Sequence, residues 1–588
     1  MKKVLVGILA AIGALVVVLT LLGLAAAACG GKGSVARRTV LELNLERGLV
    51  EARPENPLAF MGRRQPTLRD VVEALERAAD DDRVKGVVAR IGAARLGTAQ
   101  VQEIRDAVIR FRGKKKPAVA FAETFGEFGP GSGSYYLATA FDQIYLQPVG
   151  EVGLTGLQAE TPFVTGSLEK VGVRVRGDRR HEYKNAWNML TEKKFTPAHK
   201  EATERLIQSI AAQMVRGIAQ ARKLSDDEVR ALMDRGPLLA QEALEARLVD
   251  GLKYRDEVYE QVKTQAGKNA KLLYVAKYLE RAGRPHKKGK TIALIYGVGD
   301  IHRGKSSYDA MSGEQTMGAE TVAQAFRAAV DDKDVKAILF RIDSPGGSAV
   351  ASDVVWREVG RARKAGKPVI ASMGSVAGSG GYYIAMAADK IVAQPGTITG
   401  SIGVFTFKPL TAGLWEKLGV SWDEVHTNKN SMMWTGLQDY TPEGWQRVQA
   451  VLDFIYADFT GKVAEGRKLP KEKVLEIAKG RIWTGEDAKA RGLVDELGGY
   501  TTALALCKQA AGIPADAKVK LKVFPRPQAP LAALLGDDPE NSDKGETSEV
   551  GVAALAEARD LAALLRRLGL VGGARGPLAM PAVPALGD

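Results

Sequence analysis

Three short segments of this chain carry residues that could do covalent chemistry. The first, Asp343-Ser344-Pro345-Gly346-Gly347-Ser348, follows an apolar, β-branched run at Ala337–Ile342. Proline sets a turn there, and the paired glycines permit positive φ with unobstructed backbone N–H groups. Such a loop at a strand's carboxyl end, leading into a helix, can hold an oxyanion or a phosphate. An ordinary tight βα turn has the same composition. The second is Ala377-Gly378-Ser379-Gly380-Gly381-Tyr382-Tyr383, which precedes an apolar, helix-like stretch. Small residues packed around one serine at a helix N-terminus expose its hydroxyl and aim the following N–H at whatever it attacks. That is the logic of a nucleophile elbow, with Ala-x-Ser-x-Gly in place of Gly-x-Ser-x-Gly. A glycine-rich packing turn is the alternative. A serine nucleophile also needs a base, and His302 and His426 sit in no recognisable catalytic context. The third segment, His181-Glu182-Tyr183-Lys184-Asn185-Ala186, offers Lys184. A lysine buried without a carboxylate partner loses its proton near neutral pH and can act as general base. A solvated surface lysine is the alternative.

The elements that must position these segments occur twice. Val84-Lys85-Gly86-Val87-Val88-Ala89-Arg90-Ile91 matches Val335-Lys336-Ala337-Ile338-Leu339-Phe340-Arg341-Ile342 at an offset of 251 residues. Gly131-Ser132-Gly133-Ser134-Tyr135-Tyr136 matches Gly378-Ser379-Gly380-Gly381-Tyr382-Tyr383 at 247, and Leu248-Val249-Asp250 matches Leu493-Val494-Asp495 at 245. Offsets that drift in one direction mark a tandem duplication with small loop deletions. The copies span 36–265 and 288–525, joined by a basic linker at 266–287. In the second copy, Ile292–Ile295, Ala337–Ile342, Val369–Ser372 and Lys390–Ala393 read as strands. Thr321–Val330 and Asp353–Lys364 read as amphipathic helices between them. This alternation predicts an α/β fold with a mostly parallel sheet in each copy.

Composition narrows the class. Of 588 residues, 45% are hydrophobic and 26% charged, which excludes wholesale disorder and a polytopic membrane protein. Two cysteines cannot build a disulfide framework, and five histidines leave little for a metal site. The net charge of +14 is dispersed without aromatic interleaving, so nucleic acid is not expected; anionic lipid headgroups account for it. Lys2 and Lys3 precede an uncharged run from Val4 to Ala28, long enough to span a bilayer. Residues 1–30 are thus expected to be a transmembrane anchor with the body outside the cytoplasm. Ala26-Ala27-Ala28-Cys29 also allows a lipoprotein signal with lipidation of Cys29. The tail at 526–588 reads as flexible and Ala/Pro-rich, with a helix expected within Val552–Leu568.

Taken together, the motifs resemble the SppA family of signal peptide peptidases in its long, two-repeat form, serine–lysine membrane proteases of bacteria. The resemblance covers about 40–525. It implies a ClpP/crotonase-like fold in each copy, no cofactor and no metal. Ser379 would be the nucleophile, with the N–H groups of Gly347 and Gly380 as oxyanion donors. Tyr183-Lys184-Asn185-Ala186 is similar to the family's Tyr-Lys-Ser-Ala, which makes Lys184 the base, with asparagine where serine is usual. Ser401, in Thr399-Gly400-Ser401-Ile402-Gly403-Val404, would orient the lysine. The resemblance further implies a homotetramer on the bacterial cytoplasmic membrane, single-pass, with its catalytic body on the extracytoplasmic side. Its substrates would be cleaved signal peptides and other apolar peptides.

Two residues complicate this assignment. Ser132 is equivalent to Ser379, but Ala93-Ala94-Arg95-Leu96 replaces the glycine loop, so the first copy is expected to be degenerate. Lys429, in Asn428-Lys429-Asn430-Ser431, is equivalent to Lys184 at an offset of 245 and is a reserve base. The rival readings are a crotonase-like acyl-CoA lyase or isomerase and a catalytically inactive membrane scaffold. An anchor placing the body away from cytoplasmic coenzyme A argues against the first, and the complete motif set against the second.

Overall fold

The computed structural model describes residues 33–46, 48–53, 65–92, 96–309 and 313–525, and the backbone of 578–579 and 586–587. The expected anchor at 1–30, Cys29 and the tail helix lie outside the described residues. Among the described residues, no helix is long and apolar enough to cross a membrane.

Each copy is built on a largely parallel sheet. In the first, six parallel strands lie in the order Lys271–Tyr274, Thr39–Asn44, Val84–Arg90, Ala118–Ala122, Gln143–Leu146, Gly251–Leu252. The second repeats that order with Val519–Phe524, Lys290–Val298, Val335–Ser344, Val369–Gly378, Lys390–Ala393 and Glu496–Leu497. Apolar runs form these strands because helices cover both faces of the sheet. Val87, Val88, Ile338 and Leu339 are accordingly shut off from solvent. The expected helices appear as Ala319–Asp331 and Ala349–Lys364.

The copies share local detail. Pro197–Arg222 and Pro442–Arg467 are both 26-residue helices with proline in the first turn. Thr196 and Thr441 cap their N-termini, each hydroxyl accepting from a backbone N–H. Lys223 and Lys468 end them in the left-handed conformation.

The segment 266–287 corrects the expectation of a linker. Lys271–Tyr274 forms an edge strand of the first sheet, and Val275–Ala282 is a helix whose Tyr278 is buried. Its counterpart in the second sheet is Val519–Phe524. The sheet of the first copy is therefore completed only at residue 274.

The copies are joined by a two-stranded antiparallel ribbon, with one strand from each. Arg174–Arg180 pairs with Val404–Leu410, from Leu410 opposite Arg174 to Val404 opposite Arg180. The ribbon ends just before Lys184 on one strand and just after Ser401 on the other. In the second sheet, the strand Val369–Gly378 carries its carboxyl end to this junction.

Candidate active site

Ser379 follows the strand Val369–Gly378 and caps the helix Gly380–Ala385. Its backbone has φ 54° and ψ −115°, a conformation that few non-glycine residues adopt. Its own N–H is fixed by a 2.8 Å hydrogen bond to the Gly400 carbonyl. This sharp turn presents the hydroxyl to the ribbon's end, where Lys184 arrives from the first copy. Lys184 Nζ lies 2.7 Å from Ser379 Oγ and 3.0 Å from both the carbonyl oxygen and Oγ of Ser401. All three residues are fully buried.

Lys184 is held there by backbone rather than by charge. The His181 and Tyr183 N–H groups both donate to the Lys479 carbonyl of the second copy. The Arg481 guanidinium lies between the rings of Tyr183 and Trp483, 4.8 and 4.3 Å from their centroids. The nearby carboxylate of Glu182 turns away to Lys479 at 3.4 Å. Burial without a compensating anion pushes the Lys184 amine well below the usual lysine range. A neutral amine beside a serine hydroxyl can accept its proton.

The loop after Val335–Ser344 brings two glycines against the serine turn. Gly347 has φ 152°, and a side chain there would strike the Ile301 carbonyl at 2.1 Å. A Cβ on Gly380 would stand 3.1 Å from the Gly347 nitrogen, so the two backbone segments touch. Ser344 Oγ donates to the Gly299 carbonyl at 2.7 Å and accepts from the Gly346 N–H at 3.2 Å. The arrangement gathers a buried hydroxyl, an amine whose hold on its proton is weakened by burial and the backbone of two glycines, the parts of an acyl-transfer site.

The other candidates fall elsewhere. Lys429 lies on an exposed loop. His302 bonds Thr316 and the Arg303 carbonyl, and exposed His426 faces Glu424. Asn185, at the position where serine was expected, is buried with its side-chain oxygen unpaired among the described residues.

Sequence reasoning missed a buried charge cluster behind the loop. Arg341, fully buried, donates to Glu51 at 2.5 Å, to Glu103 at 3.0 Å and to Ser372 at 2.9 Å. Both glutamates come from the first copy. Two residues on, Asp343 accepts from the Val376 N–H at 2.9 Å, pinning a bulge in the strand that carries Ser379. Burial and the Glu51 charge push the Asp343 carboxyl up to about 6. The available signal was Arg341 itself, the one charge within the run Ala337–Ile342.

This fold and this site define a serine hydrolase assembled from two copies of one unit. Comparison with known proteins makes the class specific. The model of peptidase family S49 matches residues 110–269 and 361–514, one block in each copy. The chloroplastic serine protease SPPA of Arabidopsis thaliana is 32% identical over 536 residues, covering 89% of this chain and 77% of that protein. Protease 4 of Salmonella typhi is 34% identical over 460 residues, covering 76% and 72%. Among solved structures, a ClpP1 mutant from Listeria monocytogenes aligns at 15% identity over 36% of this chain and 94% of its own, with a TM-score of only 0.24. The chain belongs to peptidase family S49 and is a serine protease.

Proposed function

We propose that this peptidase cleaves extended, apolar peptides with Ser379 as nucleophile and Lys184 as general base. The observation that carries this reading is the 2.7 Å contact between Lys184 Nζ and Ser379 Oγ inside a buried site. Lys184 takes the hydroxyl proton as Oγ attacks the scissile carbonyl. The oxyanion that forms is stabilised by the N–H groups of Gly347 and Gly380. Lys184 then passes the proton to the departing amine, the C–N bond breaks, and an acyl-enzyme on Ser379 remains. Water, deprotonated by Lys184, attacks that ester, and the proton returns to Ser379 Oγ as the acyl–oxygen bond breaks. Ser401 is a positioning residue, since its two oxygens hold the amine in line.

Each copy would be a ClpP/crotonase-like unit, and the parallel sheet with its glycine loop supports that reading. The substrates would be signal peptides already released from exported proteins. Supporting this are the resemblance to signal peptide peptidases and the hydrophobic run at Val4–Ala28, which would tether the protein to the bilayer where such remnants lie. A homotetramer with its catalytic body outside the cytoplasm fits the same reading. The test is hydrolysis of a signal-peptide reporter as a function of pH. The wild type should gain activity as pH rises through the lowered Lys184 pKa, because the base form exists only above it. Full activity in Ser379→Ala, or in Lys184→Ala, would overturn the mechanism.

A further inference from the structure

The strand that delivers Ser379 changes neighbours partway along. Residues 370–372 pair with 390–392, whereas 376–378 pair with 398–400. Between those stretches the register against the strand Val335–Ser344 slips, with Met373 opposite Ile342 and Ala377 opposite Ser344. Gly374, Ser375 and Val376 therefore bulge opposite the single residue Asp343. The change of neighbour is what brings Ser379 to its partners. Its N–H meets the Gly400 carbonyl, one residue before Ser401, and its hydroxyl meets Lys184.

Asp343 sits in the mouth of that bulge, where its carboxylate accepts from the Val376 N–H at 2.9 Å. A side chain on Gly374 would stand 3.0 Å from the same Oδ1 atom, so glycine leaves the room that the carboxylate fills. Arg341, two residues earlier on the same face of its strand, donates to Ser372 Oγ at 2.9 Å. The pair brackets the bulge, with one bond before it and one after. Arg341 is in turn tied to Glu51 and Glu103, so both copies hold the bracket in place. Burial and the Glu51 charge press the Asp343 carboxyl toward its neutral form. An uncharged residue would stand there at lower electrostatic cost. The first copy carries that alternative: Gly92 follows Ile91 where Asp343 follows Ile342. Its strand Ala118–Ala122 keeps an unbroken register, and Ser132 lies inside the helix that follows.

From these observations we infer that Asp343 is a positioning residue for the nucleophile, its side chain holding the bulge that swings Ser379 onto Gly400 and Lys184. The inference rests on the proposed role of Ser379 and adds a residue that acts through it. One side chain then governs both halves of the acyl-transfer geometry, since Ser344 and the glycine loop follow it directly in the chain. Losing that hold should move Oγ from Nζ, which slows acylation and leaves ground-state binding of the peptide alone. Misplacing a reacting atom by about 1 Å costs roughly 10²-fold in rate.

The experiment uses the full-length protein and a signal-peptide reporter. In Asp343→Ala, kcat and the single-turnover rate of acylation should both fall by roughly 10²-fold, with KM within about twofold of wild type. Asp343→Asn, whose side-chain oxygen can accept the same N–H, should keep kcat within about threefold of wild type. Gly374→Ala crowds the carboxylate out of the bulge and should match Asp343→Ala. It decides the question if denaturant unfolding shows that Asp343→Ala does not fold. Wild-type kcat in Asp343→Ala, or in Gly374→Ala where that variant decides, overturns the inference. So does a loss in Asp343→Asn as deep as in Asp343→Ala, or a rise in KM that accounts for the whole effect. Mass mapping of the acyl group trapped on the wild type separates the two readings. An acyl group on a residue other than Ser379 removes the mechanism and this inference with it. One on Ser379, with acylation unslowed in Asp343→Ala, removes the inference alone.

Discussion

Ser379 and Ser132 occupy equivalent places in two copies of one unit, but their backbones differ by one step of helix. Ser379 precedes its helix, in a left-handed conformation. Ser132 has been drawn into its own, as the first residue of Ser132–Ala138 capped by Gly131. Its hydroxyl donates to the Gly156 carbonyl at 2.9 Å and accepts from the Gly156 N–H at 3.1 Å. It braces a turn where Ser379 meets an amine. The corner beside it is lined by Leu45, Ile91, Leu96, Val101 and Leu137. Small-residue motifs are retained in both copies, so motif identity alone does not make a nucleophile. What distinguishes the two is the strained turn, the glycine loop and the lysine delivered by the other copy.

The comparison can be broken most sharply at the serines. Ser379→Ala should cut kcat/KM by on the order of 10⁶-fold, while Ser132→Ala stays within about twofold of wild type on the same reporter. A comparable loss in both would mean that the first copy is also active. The lysines come next. Lys184→Ala should lose about 10²–10⁴-fold and Lys429→Ala nothing, and the reverse pattern would move the base to the second copy. Gly347→Ala, whose Cβ would strike the Ile301 carbonyl and push the Gly347 N–H out of place, should lose roughly 10²–10³-fold in kcat, the cost of one misplaced oxyanion donor.

Stability sharpens the same contrast. Arg341→Met strands two buried glutamates and should cost about 3–5 kcal/mol in denaturant unfolding. Its counterpart Arg90 makes a partly exposed pair with Glu46, so Arg90→Met should cost about 1 kcal/mol or less. Equal losses would show that the buried cluster carries no special weight. The smallest effect is a pH trend. The Lys184 pKa is lower folded than unfolded, so its burial costs stability below the unfolded value near 10.5, and increasingly as pH falls toward the folded value. Relative to wild type, Lys184→Met should therefore gain more stability at pH 6 than at pH 9. A difference independent of pH would mean that the amine is charged in place.

Much of this was legible in the sequence because duplication doubles every local signal. The apolar strands, the two amphipathic helices and the three motifs all rest on local chemistry. The joining ribbon was not legible. Arg174–Arg180 reads Arg-Val-Arg-Gly-Asp-Arg-Arg, with no apolar alternation to mark a strand, and it forms only against Val404–Leu410. Long-range pairing overrides local preference there. The strand within 266–287 was hidden for the same reason: Lys271–Tyr274 is an edge strand whose partner lies far back in the chain. Asp343 and the glutamates around Arg341 escaped notice because their meaning lies in partners from distant segments.

The division of the dyad also has a consequence in time. Lys184 and Ser379 are 195 residues apart, which at about 5–20 residues per second is roughly 10–40 s of synthesis. Throughout that interval the growing chain carries a base with no hydroxyl to activate. Only when Lys479 and Arg481 have also emerged can the lysine loop dock. The protease therefore cannot cut its neighbours, or itself, until most of its second copy has been made.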